Sequence, residues 1–372
     1  MSAISRNWAE RRERRAFLAL ADGTVIRGWS CGAAEDRLGE VVFHTAMTGV
    51  EEILTDPSYA GQIVVLTMPE TGNTGFNGED HESAAIQAAG LVVREMNPPS
   101  NWRSRETLPA ALSRGGVPAL AGADTRALTV KLRDGGTQKA FLCATGALSP
   151  EEAIEKARAW EGLDGQDYAS KVSTPEPYDW PSKAPADAPL AVVLDFGVKR
   201  NTLRLLAEQG FRVRVLNARS SAADVLALNP AGVLLSNGPA DPAALPYAVK
   251  TIRDLLGRVP LMGICLGHQL LGLALGGKTR RLAFGHHGGN HPVMDLRTKT
   301  VEVTSQNHNY VVDPDSLDPA AAEITHISLN DRTVEGLQAR KFPAFSLQYH
   351  PEAAPGPRDA VAAFARFRTL IG

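Results

Sequence analysis

The second half of this chain alternates short apolar runs with amphipathic helical stretches, and no other feature restricts the fold as strongly. APLAVVLDFG (188–197) is an apolar run closed by Asp and Gly, which predicts a buried strand. KRNTLRLLAEQ (199–209) places Leu203, Leu206 and Ala207 at helical spacing and stops at Gly210. FRVRVLN (211–217) predicts a second strand, AADVLALN a helix and AGVLLSNGP (231–239) a third strand. AVKTIRDLLGR (248–258) predicts a helix and PLMGIC (260–265) a fourth strand. Strands and helices in this order pack as a doubly wound, mainly parallel sheet with helices on both faces.

Pro175, Pro177, Pro181, Pro185 and Pro189 precede this region. Proline fixes φ and cannot donate to a sheet ladder, so 173–189 is expected to be an extended linker. It would separate an N-terminal domain (1–172) from a C-terminal one (190–372). The 372 residues are enough for two domains. Strand candidates in the first half are 17–30, with Asp22-Gly23 as a hairpin turn, 40–47, 62–68 and 88–96. TGNTGFNG (71–78) reads as an irregular loop, and the half as a mixed α/β domain.

Lys plus Arg is 39 and Asp plus Glu 41, a net charge of −2. Such a balance argues against a dedicated nucleic-acid or membrane-surface binder. No run approaches the roughly 18 apolar residues of a membrane span. Cys31, Cys143 and Cys265 are too few for a disulfide framework, and a reducing, cytoplasmic location is expected. Arg6, Arg11, Arg12, Arg14 and Arg15 are interrupted by Glu10 and Glu13, so they read as a solvated N-terminal extension rather than a transit peptide.

The sharpest chemical signal is Gly263-Ile264-Cys265-Leu266-Gly267. An apolar strand enters it and the helical stretch HQLLGLALG leaves it. A nucleophile on a tight strand-to-helix turn needs small residues two positions to either side, where the backbone is crowded. Unpaired N–H groups at a helix N-terminus favour a thiolate there. A base is supplied by FSLQYHPE (345–352), whose alternation ends in His350-Pro351-Glu352. Pro351 favours extended backbone at His350, and residues two apart on an extended chain share a side. Glu352 is thus placed to orient the imidazole, the third role in a nucleophile–base–acid array. Most lone cysteines are inert, and a His beside a Glu is common; the three residues together make a specific hypothesis. The Gly238-Pro239 turn of SNGPADP (236–242) lies at the carboxyl end of a strand, where its N–H groups and that of Leu266 can polarise a carbonyl.

Three other patterns are set aside. Gly272–Thr279 matches the phosphate-loop spacing but sits at the end of a helix rather than its start. Asp195-Phe196-Gly197 has no His-Arg-Asp loop before it. His286, His287 and His291 are close enough to suggest zinc, but two glycines and no nearby cysteine favour a tight polar loop, and no metal is expected.

GICLGHQ (263–269), SNGPADP (236–242), FGHHGGNHP (284–292), SQNHNY (305–310) and HPEAAPGP (350–357) together resemble the class I glutamine amidotransferases. GEVVFHTAMTGVEEILTDPSY (39–59), DTRALT (124–129) and DFGVKRN (195–201) are similar to the small, glutamine-hydrolysing subunits of carbamoyl-phosphate synthetase within that class. The resemblance spans the chain apart from roughly its first fifteen residues. It implies Cys265 as nucleophile, His350 as base and Glu352 as its assistant. It implies glutamine contacts at Ser58, Gly238, Ala240, Leu266, Gln269, Asn307, Asn309 and Tyr310, with Gly238 and Leu266 giving oxyanion N–H groups. Ser58 comes from the N-terminal half, which places the implied pocket at the domain junction.

Ala240, Asn309 and Tyr310 depart from the family's usual Gly, Gly and Phe; a positive φ at 240 would strain alanine, whereas Asn tolerates it better. The resemblance further implies a large-subunit partner that uses ATP, Mg2+ and bicarbonate to make carbamoyl phosphate for arginine and pyrimidine synthesis. No cofactor is implied in this chain, and no nucleic-acid or membrane partner. The rival readings are a glutaminase subunit of another synthase, a catalytically dead scaffold, and a stand-alone cysteine hydrolase of γ-glutamyl compounds.

Overall fold

The computed structural model describes residues 14–239 and 241–372, so Ala240 and the arginines at 6, 11 and 12 fall outside the described residues. The chain divides into two compact units, Met1–Leu163 and Asp164–Gly372. No helix among the described residues is long and apolar enough to cross a membrane.

The first unit holds a closed barrel. Its strands, in hydrogen-bonded order, are Arg15–Leu20, Val25–Ser30, Ala119–Ala121, Gly90–Val92, Gln62–Leu66, Arg37–His44 and Gln138–Cys143, and the last closes on the first. Asp22-Gly23 makes the expected hairpin turn; Gly23 has φ 98° and the Thr24 N–H donates to Asp22 Oδ1 at 2.9 Å. Closure leaves this sheet without an edge. The strands at 119–121 and 138–143 have no counterpart in the expected set; the former is three residues long and carries no readable period.

The second unit is built on a ten-stranded sheet. In hydrogen-bonded order its strands are Tyr178–Trp180, Arg212–Asn217, Leu190–Asp195, Gly232–Leu235, Leu261–Ile264, Ala344–Leu347, Val334–Ala339, Ala322–Ser328, Thr279–Asp295 and Val301–Val312. The strands from 212–217 through 344–347 run parallel, and the remainder are antiparallel. The central parallel strands at 190–195, 232–235, 261–264 and 344–347 are buried on both faces, whereas 212–217, next to the edge strand, alternates buried and more exposed residues. Helices Arg200–Glu208 and Ala362–Ile371 cover one face, through Leu203, Leu206, Phe364 and Phe367. Helices Pro246–Leu255 and Leu266–Ala274 cover the other, through Ile252, Leu255, Leu270 and Leu271.

The proline run does not lie between the units. Ala169 is buried in the second unit's core, and Tyr178–Trp180 pairs antiparallel with Val213–Val215. The prolines at 177 and 181 flank that short strand, so the residues between them keep their N–H groups and pair at the sheet edge. FGHHGGNHP is likewise not a separate loop. It lies within Thr279–Asp295, whose ladder slips register between Arg281 and His286 and between Gly288 and His291.

Gly267 lets the helix Leu266–Ala274 lie against the sheet. A Cβ there would stand 2.1 Å from the Leu235 carbonyl oxygen. Because the obstacle is backbone, Gly267→Ala must push the helix off its strand. We expect about 3 kcal/mol of destabilisation, the upper part of the range for overpacked cores. Thermal unfolding checks this against Gly276→Ala at the end of the same helix, where a Cβ meets nothing within 4 Å and only the positive φ opposes it.

Candidate active site

The strand Leu261–Ile264 is apolar and central, and its end delivers Cys265 to the carboxyl edge of the parallel sheet, the usual place for a ligand. Cys265 has φ 52° and ψ −104°, a conformation that non-glycine residues rarely occupy. A Cβ on Gly263 would lie 2.6 Å from the Gly267 carbonyl oxygen. Together with the crowding at Gly267, this accounts for glycine on both sides of the turn. Leu266 is the first residue of the helix, so its N–H is among those with no intrahelical acceptor. Gly238 packs against the Phe196 carbonyl oxygen, with room for no side chain.

His350 and Glu352 follow the strand Ala344–Leu347, the neighbour of Leu261–Ile264 in the sheet. The His350 N–H donates to the Ser305 carbonyl at 2.9 Å, which fixes its backbone. His350 Nδ1 and Glu352 Oε1 are 2.6 Å apart, and both side chains are buried. Nε2 of His350 is buried and makes no hydrogen bond of normal geometry among the described residues. The Cys265 Sγ donates to the Asn307 carbonyl at 3.5 Å.

A buried lysine completes this cluster. Lys199 Nζ lies 2.9 Å from Glu352 Oε1 and also donates to the Ala353 carbonyl. Asn201 Nδ2 donates to the Glu352 carbonyl at 2.6 Å. Asp195 shapes the segment that carries Lys199 and Asn201, its Oδ1 accepting from the N–H groups of Gly197 and Val198. Within DFGVKRN, Lys199 has no role among the expected site residues. The available signal was a lysine set between the buried Val198 and a helix start, where only a paired charge is tolerated.

Opposite charges support one another through the cluster. Burial works against an ionised Glu352, but Lys199 and His350 outweigh it and hold the carboxyl well below its usual value. Burial also works against a charged His350, but Glu352 and Cys265 outweigh it and raise the imidazole well above its usual value. A lowered carboxyl stabilises the fold above its ordinary value of 4.5 and loses that contribution as pH falls. A raised imidazole stabilises it below 6.5 and loses that contribution as pH rises. The difference in Tm between the unaltered chain and Glu352→Gln is therefore expected to be widest between pH 4.5 and 6.5 and to shrink on either side. A pH series of thermal melts measures it, and a flat difference would contradict the coupling.

The other expected contact residues are placed as follows. Gln269 Nε2 donates to the Tyr310 carbonyl at 2.7 Å and to Gln348 Oε1 at 3.1 Å. Asn307 and Asn309 stand on Val301–Val312, and His287 bridges their Oδ1 atoms at 3.0 Å each. Asn309 does not take a positive φ, so the strain considered for that position does not arise. The Tyr310 hydroxyl donates to Asp164, which also pairs with Arg281. Ser58 stands in the first unit, buried on the short 3-10 turn Pro57–Tyr59, with its N–H on Asp56 Oδ1. The phosphate-loop pattern falls where one helix ends at Ala274 and a strand begins at Thr279, a context that builds no phosphate cradle.

The family model described as glutamine amidotransferase class-I matches residues 192–370. The model described as carbamoyl-phosphate synthase small chain, CPSase domain, matches residues 18–142. The chain is 52% identical to the carbamoyl phosphate synthase small chain of Thioalkalivibrio sulfidiphilus, over 96% of this chain and 97% of that one. This chain belongs to the carbamoyl phosphate synthase small chain family. The small chain of Ralstonia nicotianae is 51% identical over 96% of this chain and 97% of its own length. The chloroplastic small chain of Oryza sativa subsp. japonica is 47% identical over 96% of this chain and 82% of its own. Membership of the small chain family accounts for both halves at once, since each family model falls within one compact unit.

Proposed function

We infer that this chain is the glutamine-hydrolysing subunit of a carbamoyl-phosphate synthetase, with Cys265, His350 and Glu352 as its catalytic residues. The observation that carries the reading is the buried array itself. A cysteine on a strained strand-to-helix turn and, after the neighbouring strand, an imidazole 2.6 Å from a carboxylate occur in a chain 52% identical to a carbamoyl phosphate synthase small chain. The rival scaffold reading leaves the buried Lys199–Glu352–His350 series of ion pairs without a use.

The chemistry proceeds in two halves. His350 takes the proton of Cys265, and the sulfur attacks the side-chain amide carbon of glutamine. The oxyanion is held by the N–H groups of Leu266 and Gly238. His350 returns the proton to the leaving nitrogen, and ammonia departs from a γ-glutamyl thioester. A water deprotonated by the same imidazole then releases glutamate. Glu352 stabilises the imidazolium in each half, and Lys199 stabilises Glu352. Gln269, Asn307, Asn309 and Tyr310 surround the amino-acid end of the substrate.

Ammonia that escapes is protonated by bulk water and lost as a nucleophile, so a large partner subunit must receive it directly. That partner supplies the sites for ATP, Mg2+ and bicarbonate and forms carbamoyl phosphate for arginine and pyrimidine synthesis in the cytoplasm. The purified chain mixed with a large synthetase subunit, ATP, Mg2+, bicarbonate and glutamine is expected to yield glutamate and carbamoyl phosphate in equal amounts. Glutamate formation on γ-glutamyl peptides, with none from glutamine in the complex, would favour the stand-alone hydrolase instead.

A further inference from the structure

Three buried side chains from three strands meet: His286 of Thr279–Asp295, His308 of Val301–Val312 and Glu335 of Val334–Ala339. One ring nitrogen of each histidine and one carboxylate oxygen lie within 4.8 Å of one another. All three residues are at least nine-tenths buried, and none takes part in the steps described above.

Their outward atoms are tied down. His286 Nε2–H donates to Asp331 Oδ2 at 2.8 Å, and His308 Nδ1–H donates to the Tyr310 carbonyl at 2.9 Å. A histidine whose outer N–H is held by a carboxylate or a backbone carbonyl presents its other nitrogen inward as a lone pair, the orientation used by metal-binding histidines. The inward atoms are not satisfied. Among the described residues, His286 Nδ1 and Glu335 Oε1 are buried with no partner at hydrogen-bond distance. They stand 3.6 Å apart. Adjacent ligand atoms in a tetrahedral site with bonds of about 2.0–2.2 Å are separated by about 3.3–3.6 Å.

The third position has the same character. His308 Nε2 faces Gln306 Oε1 at 2.8 Å, a lone pair against a lone pair once Nδ1 holds the ring proton. Rotating the Gln306 amide only moves the conflict, because its Nε2 now donates to Glu335 Oε2 at 2.9 Å. A positive charge among these inward atoms relieves both conflicts together. Two imidazoles and a carboxylate suit a borderline transition cation, whereas magnesium or calcium would call for an all-oxygen shell.

We propose that His286 Nδ1, His308 Nε2 and Glu335 Oε1 form a binding site for a divalent cation of the zinc type. Its effect on the molecule is to brace the strand Val301–Val312. The Tyr310 carbonyl accepts from both His308 and Gln269, so a fixed His308 fixes the backbone on which the Gln269 side chain rests. This site is independent of the glutaminase reading, and either can fail without the other.

The test uses the full chain in a Cys265→Ala background, so that the active-site thiol cannot take up metal. The protein is stripped with chelator, and Zn2+ or Co2+ is added back. The expected result is one equivalent of zinc retained through gel filtration, intense visible absorption of tetrahedral Co2+, and a Tm that climbs with added Zn2+. His286→Ala and Glu335→Gln are expected to abolish all three. Because those residues are buried, Asp331→Asn serves as the milder arm. Its side chain is partly exposed, and loss of its hydrogen bond is expected to weaken zinc affinity roughly 10–100-fold with the fold intact. Absence of stoichiometric zinc in the parent protein would overturn the proposal and leave ring protons on His286 Nδ1 and His308 Nε2, facing Glu335 and Gln306, as the occupants. Zinc uptake unchanged in all three variants would overturn it as well.

Discussion

Replacing Cys265 by alanine will abolish glutamine-driven carbamoyl phosphate synthesis and leave ammonia-driven synthesis in the same complex near its normal rate. The thioester cannot form without the sulfur. Loss of a nucleophile that works as a unit with its base costs on the order of 10^4–10^6 in turnover. The alanine removes one buried atom at a position whose backbone is already fixed by the Cys265 N–H to Leu347 carbonyl bond of 2.9 Å. The fold and the complex should therefore persist. Parallel assays with glutamine and with an ammonium salt separate the two activities. Equal loss of both, in a complex shown to assemble, would contradict a role confined to glutamine.

Lys199→Met will produce the second largest effect, and this one falls on stability as well as rate. Lys199 is 1% exposed, and its ammonium lies between Glu352 Oε1 and the Ala353 carbonyl. Methionine fills similar volume but leaves Glu352 with the His350 imidazolium alone, of the two cations that lower its carboxyl, to offset its burial. Breaking a buried pair by removing one partner destabilises by about 3–5 kcal/mol. For a unit of this size, each kcal/mol lowers Tm by about 2–4 °C, so a fall of roughly 6–20 °C is expected. The carboxyl of Glu352 should also move back toward its ordinary range, which weakens its hold on the charged imidazole. The rate should then fall more than the affinity for glutamine. A double variant, Lys199→Met with Glu352→Gln, should recover part of the lost Tm, because no uncompensated charge is left buried. A Tm within about 1 °C of the parent for Lys199→Met alone would show that the pair is not coupled to the fold.

The parts of the molecule that were legible in the sequence are those whose signal is local. The parallel strands at 190–195, 232–235 and 261–264 are buried on both faces and so appear as apolar runs, and 212–217 appears as an alternation of apolar and basic residues, all punctuated by helices. The elbow at Cys265 was legible because steric crowding there admits only glycine at 263 and 267. His350 and Glu352 were legible because two-residue spacing on extended chain sets both on one side, and the structure gives their contact as 2.6 Å. What escaped depended on distant partners. Lys199 and Glu352 are separated by 153 residues, and nothing near either one announces the other. The first unit's barrel closes through the pairing of Arg15–Leu20 with Gln138–Cys143, a long-range contact with no local sign. The histidines of FGHHGGNHP were weighed as a group, but they diverge: His287 turns to Asn307 and Asn309, whereas His286 meets His308 and Glu335 from other strands. The proline run misled for a related reason, since edge pairing needs only the residues between the prolines.

The most direct measurement is to mix the complex with isotopically labelled glutamine, quench it in acid within the turnover time, and digest it for mass spectrometry. A γ-glutamyl adduct on the peptide that contains Cys265, lost on mild alkaline treatment and not detected in the Cys265→Ala protein, is the expected result. Label found on another residue, or glutamate released at full rate with no adduct on Cys265 under conditions that slow the second half-reaction, would contradict the sulfur of Cys265 as the group that takes the acyl chain.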